Sequence, residues 1–157
     1  MKFKKNVQYE LVEVPYEGIV GAGRLLPFNT PSGTTIVALP EGSKGIYGTL
    51  SVAGNSLEDL GIFEGDQLIC KKAFSKREIL PHTICIIYIP ATGELVAKMV
   101  RFQGEYIILK SCNSSIIDIR TTNEDIDIRG IVVGFQRMLN IAGRLPNIQA
   151  DSGDIPF

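Results

Sequence analysis

Ser56 lies in the run Gly54-Asn55-Ser56-Leu57-Glu58-Asp59-Leu60-Gly61, and Lys98 stands inside a later apolar run, Leu95-Val96-Ala97-Lys98-Met99-Val100. A serine hydroxyl attacks a carbonyl only when a base takes its proton, and a lysine amine is one of the groups that can do so. To work near neutrality the ammonium of Lys98 must be destabilised by roughly 4 kcal/mol relative to the free amine, and burial is the means by which a strand can do that. In an extended strand Val96, Lys98 and Val100 share one face while Leu95, Ala97 and Met99 share the other, so apolar neighbours flank the lysine. The spacing alone leaves two readings open, a desolvated base or a lysine snorkelling from a sheet edge into water. The single histidine, His82, sits in Pro81-His82-Thr83 and reads as an exposed turn residue rather than as a general base.

A third segment, Gly18-Ile19-Val20-Gly21-Ala22-Gly23-Arg24, offers the bond Ala22-Gly23 between two small residues. A small side chain lets its carbonyl come close to an attacking oxygen, and glycine permits the sharp path that a looped-in substrate must follow. The glycines do not complete a dinucleotide fingerprint, because Leu26 stands where a third glycine belongs.

The elements that would position these groups are mostly β. At 157 residues the chain suits one domain, long enough to bury roughly 70% of the surface it exposes when unfolded. Apolar residues at 45% and charged residues at 21% exclude a chain that is disordered throughout. Strand-like runs are expected at Thr35 to Leu39, Ile46 to Val52, Gln67 to Lys71, Thr83 to Ile89, Leu95 to Arg101, Tyr106 to Leu109, Ile126 to Gly130 and Ile131 to Met138. A short helical turn over Ser56 to Leu60, opened by Asn55 or Ser56 and ended by Gly61, would put the hydroxyl at a strand-to-turn junction. The N–H of Ser56 is then the expected oxyanion donor. Residues 1–32 read as an N-terminal arm carrying the candidate bond, 33–140 as the main domain, and 141–157 as a mobile tail.

A net charge of −1 argues against direct binding to nucleic acid. No export signal or membrane-spanning run is visible, so a cytoplasmic protein without membrane contact is expected. Cys70, Cys85 and Cys112 are odd in number and widely spaced, which suits buried thiols and neither a disulfide framework nor a metal site; no cofactor or metal is expected.

Three ordered segments carry a family likeness. Gly54-Asn55-Ser56-Leu57 followed by Gly61-Ile62-Phe63-Glu64-Gly65-Asp66-Gln67-Leu68 resembles the nucleophile motif of LexA/UmuD-type self-cleaving proteins, peptidase family S24. Glu94-Leu95-Val96-Ala97-Lys98 is similar to their lysine motif, and Leu109-Lys110-Ser111-Cys112-Asn113-Ser114 with Ile128-Arg129-Gly130-Ile131-Val132-Val133-Gly134 to their closing segments. The likeness departs at Leu57, where methionine is usual, and at Asn55. It implies a folded, partly closed, barrel-like sheet of the LexA and signal-peptidase type, with Ser56 as nucleophile, Lys98 as general base and Ala22-Gly23 as the bond cut. It further implies a homodimer, stimulation by the RecA-nucleoprotein filament in the DNA-damage (SOS) response, and DNA contact only through a helix-turn-helix domain that Met1 to Ala22 does not resemble. The alternative within the family is a UmuD-like accessory subunit of a translesion DNA polymerase.

Overall fold

The computed structural model describes residues 6–21 and 33–137. Nine strands follow in chain order: β1 (Tyr9–Val20), β2 (Thr34–Pro40), β3 (Tyr47–Val52), β4 (Gln67–Lys72), β5 (Ile84–Ile89), β6 (Glu94–Gln103), β7 (Tyr106–Lys110), β8 (Ile119–Thr121) and β9 (Asp127–Gln136). They form one mixed, unclosed sheet in the order β2-β1-β3-β4-β9-β5-β6-β7-β8. The only helical pieces among the described residues are two three-residue 3₁₀ turns, Glu58–Leu60 and Lys76–Glu78.

The sheet folds so that its central strands are covered on both faces. Along β5, Ile86 packs into one cluster with Leu50, Val52, Leu57, Leu68, Leu95 and Ala97, while Cys85 and Ile87 pack into another with Val96, Val100, Ile107 and Leu109. Strand side chains alternate between faces, so a strand serving two cores must be apolar at almost every position, as Ile84-Cys85-Ile86-Ile87 is. The same alternation in β6 sends Leu95 and Ala97 to the first cluster and Val96 and Val100 to the second. Lys98 shares the face of the second.

Three strands differ from the sequence reading. Tyr9–Val20, assigned there to the arm, is the longest strand and buries Val14 and Val20. It pairs antiparallel with β2 over Tyr9 to Pro15 and then runs parallel to β3 over Tyr16 to Val20, with a register shift between Tyr16 and Ile19. Its first half alternates only from Val12 and Val14, which are covered, against exposed Leu11 and Glu13; Tyr9 and Glu10 are both exposed, and apolar residues on the solvent side blur the pattern. The expected pair Ile126 to Gly130 and Ile131 to Met138 is one strand, β9, hydrogen-bonded to β4 on one side and to β5 on the other; Gly130 continues the strand instead of breaking it. The three-residue β8 has too little length to show periodicity. Residues 138–157, the expected tail among them, lie outside the described part.

Candidate active site

β3 ends at Val52, and the chain then passes through Ala53, Gly54 and Asn55 to Ser56, which is half-buried. The 3₁₀ turn begins later than expected: Leu57 is its N-terminal cap residue and supplies no side-chain cap, while Gly61 ends it at φ 75°. Ser56 therefore stands in the bend before the helical piece. Leu57 takes the capping place because its fully buried side chain anchors the bend in the first apolar cluster. Asp66 closes the base of the loop. Its carboxylate accepts from the Phe63 N–H at 2.8 Å and from Arg137 Nε and a terminal guanidinium nitrogen at 2.7 and 2.6 Å, and that same nitrogen also donates to the Gly61 carbonyl. The Arg137 hydrogen bonds hold the Asp66 carboxyl below the usual carboxylate range.

Lys98 is only 6% exposed, which decides between the two readings of its strand. It lies in the interior of β6, with Cys85 opposite on β5. Burial pushes its amine below the ordinary lysine value, against the opposite pull of Cys112, Asp118 and Glu94. Among the described residues no carboxylate forms an ion pair with it. Cys70 and Cys85 are buried thiols pushed up to about 12 by desolvation, and Cys112 is buried and raised as well, so all three are neutral at physiological pH.

The serine bend and the lysine strand border one common segment, residues 111–115, between β7 and β8. The Ser111 hydroxyl donates to the Ser56 carbonyl at 3.2 Å and the Asn113 amide donates to the Asn55 carbonyl at 2.8 Å. The Asp59 N–H donates to the Cys112 carbonyl at 2.8 Å, and the Ser114 N–H donates to the Asp59 carboxylate at 2.9 Å. On its other side Cys112 lies beside the Met99 backbone and the Lys98 amine, both of which pull its thiol down against the burial that raises it. Sequence reasoning saw this stretch only as a closing motif. Nothing in Ser111-Cys112-Asn113-Ser114-Ser115 distinguishes a buried clamp from a polar surface loop.

Residues 22–32, including Ala22 and Gly23, lie outside the described part, but the chain leading to them does not. Val20 is 1% exposed and pairs with Val52, and its carbonyl accepts from the Ala53 N–H at 2.9 Å. Gly21 donates its N–H to the Leu95 carbonyl at 2.8 Å. It has φ 85°, and a Cβ there would stand 2.6 Å from the Ala53 carbonyl oxygen, so both backbone angle and space require glycine. Gly54, at φ 83°, faces it: a Cβ there would meet the Gly21 carbonyl at 3.3 Å. Val20, the last residue of β1, and Gly21, in the bend that follows it, thus lie between the strand that leads to Ser56 and the strand that carries Lys98.

Cavities of about 550 and 490 Å³ open elsewhere, and neither Ser56 nor Lys98 lines them. His82 is exposed in a turn at φ 65°. Among the described residues no group of three or more His, Cys, Asp or Glu is placed to hold a metal ion, and no helix is long and apolar enough to cross a membrane.

Comparison with known proteins gives the family. The LexA repressor of Zymomonas mobilis subsp. mobilis is 27% identical over 130 residues, covering 82% of this chain and 57% of that protein. The LexA repressor of Syntrophobacter fumaroxidans is 30% identical over 128 residues, covering 80% of this chain and 59% of that protein. The chain therefore spans less than two thirds of the length of either relative. Residues 25–133 match the Peptidase S24-like family, and the chain belongs to that peptidase family.

Proposed function

We propose that this chain is the self-cleaving regulatory domain of a LexA-like repressor, in which Ser56 and Lys98 cut the chain's own Ala22-Gly23 bond. The observation that carries the reading is the seating of Val20 and Gly21. A peptide that adds to a sheet edge is held by main-chain hydrogen bonds and one buried side chain, the mode by which extended substrates are commonly gripped. Here Val20 supplies the buried side chain, Ala53 and Leu95 supply the hydrogen bonds, and the next residue is Ala22.

The chemistry follows from the residue types. The neutral amine of Lys98 takes the proton from Ser56 Oγ as that oxygen attacks the Ala22 carbonyl carbon. The resulting oxyanion accepts a hydrogen bond from the Ser56 N–H. Collapse breaks the bond to the Gly23 nitrogen, which leaves with the proton held by Lys98, and an ester joins Ser56 to Ala22. Water, deprotonated by the same amine, hydrolyses the ester and restores the serine. One molecule cuts once. The products are residues 1–22 and a fragment beginning at Gly23.

Within this reading the protein is a cytoplasmic homodimer, the RecA-nucleoprotein filament of the DNA-damage response stimulates the cut, and DNA is held by a helix-turn-helix domain outside this chain. Incubating the purified chain at alkaline pH and measuring intact mass tests the cut itself. Loss of residues 1–22 is expected in the wild type and not in Ser56→Ala; an unchanged wild-type mass overturns the reading.

A further inference from the structure

An oxyanion hole depends on which way a peptide plane faces. In a trans peptide the C=O of one residue and the N–H of the next point in opposite directions, so fixing the carbonyl fixes the N–H. Both peptide planes that flank Ser56 are fixed in this way. The carbonyl of the Asn55-Ser56 peptide accepts from the Asn113 amide at 2.8 Å, and the carbonyl of the Ser56-Leu57 peptide accepts from the Ser111 hydroxyl at 3.2 Å. Among the described residues, neither the Ser56 N–H nor the Leu57 N–H donates to another protein group.

The clamp is itself rigid. Asn113 and Ser111 are each 7% exposed. The Asn113 side-chain oxygen accepts from the Ser115 N–H at 3.0 Å and the Ser115 hydroxyl at 2.6 Å, which leaves its amide nitrogen, the donor, turned to Asn55. The Glu58 N–H, at 3.3 Å, is the other group on the Asn55 carbonyl. A buried asparagine whose oxygen and nitrogen are both engaged is costly to reorient.

Resting on the Ser-Lys reading above, we propose that Asn113 and Ser111 are positioning residues. They hold the two peptide planes around Ser56 with the N–H groups of Ser56 and Leu57 turned away from the clamp, as a preformed pair of oxyanion donors. They do not touch the substrate; they act through the backbone of the serine bend.

The test compares self-processing of the full chain across pH in wild type, Asn113→Ala and Ser111→Ala, with melting curves as a check of folding. Loss of a preorganised oxyanion donor costs about 10²- to 10³-fold in rate. Asn113→Ala is expected to lower the alkaline plateau by about 10²-fold, and Ser111→Ala by less. The pH midpoint set by Lys98 should not move in either variant. An unchanged plateau in a folded Asn113→Ala, or a loss explained wholly by a moved midpoint, overturns the proposal. Should Asn113→Ala not fold, Ser111→Ala carries the same comparison. A second readout does not need activity: in ¹⁵N spectra of the inactive Ser56→Ala background, Asn113→Ala is expected to broaden or double the amide signals of residues 56 and 57. Single, unshifted signals there overturn the proposal. If the wild type does not cut itself at all, the Ser-Lys reading fails, and the spectra still decide whether the clamp orients the bend.

Discussion

The candidate base and the candidate nucleophile are held by opposite means. Lys98 sits in the interior of a regular strand, paired with β5 just before the ladder with β7 begins at Met99, and its surroundings follow from the alternation of β6. Ser56 sits in an irregular bend with no ladder of its own, held by side chains about 55 residues further along the chain. The contrast fits the tasks. A base must be kept from water, which strand packing does well; a nucleophile must be reached by a substrate, so it needs an open surface whose geometry is fixed from behind.

The largest effects should come from the candidate nucleophile and the candidate base themselves. Ser56→Ala and Lys98→Ala are each expected to lower self-processing by at least about 10³-fold while leaving the chain folded, checked by intact mass over time. Comparable processing in either variant breaks the pairing.

Gly21→Ala sharpens the comparison at the point where the two regions meet. The new Cβ would need a strained backbone and would press on the Ala53 carbonyl, so the segment must leave its seat at a cost of about 1–3 kcal/mol. Processing should fall by about 10-fold or more, as read by the same assay, with the melting temperature little changed if the strain is relieved by release of the segment.

A subtler effect separates the base from the fold. Because burial lowers the Lys98 value below that of the unfolded chain, the charged form costs stability. That cost is fully present below the folded value and disappears as pH rises past the unfolded lysine value. Lys98→Met, inactive, is therefore expected to melt higher than wild type near neutrality, with the gain shrinking at alkaline pH in thermal scans.

The smallest effect lies at the base of the serine loop. The carboxyl of Asp66 titrates below its unfolded value, so its stabilising contribution is present above the unfolded aspartate value and is lost as pH falls through the folded one. Asp66→Asn is expected to lower the melting temperature modestly near neutrality and to flatten the acid limb of the stability curve, its difference from wild type shrinking as pH falls below the unfolded aspartate value.

Particular residues explain what was legible beforehand. Lys98 and its flanking apolar positions could be read because a period of two maps directly onto faces, and the structure then chose burial over snorkelling. The three thiols read as buried are buried. The positions of most strands were visible for the same reason. The length of β1 and its place in the main sheet were missed because Leu11 and Tyr9 are apolar yet exposed, and because Gly18 and Pro15 punctuate a strand that changes partner midway. The division of β9 at Gly130 failed because close approach to the Lys71 carbonyl, not a turn, explains that glycine. Asn113 and the Asp66-Arg137 pair were invisible because each joins segments more than fifty residues apart, and one polar residue in a polar stretch gives no sign of its partner.

The most direct test follows the Lys98 amine and the rate together. With Lys98 observed by ¹⁵Nζ NMR in Ser56→Ala and self-processing measured in wild type over the same pH range, the two midpoints are expected to coincide, below the ordinary lysine value. An amine that titrates at the ordinary value, or a rate that rises to its plateau while Lys98 is still protonated, would contradict a neutral lysine as the group that activates Ser56.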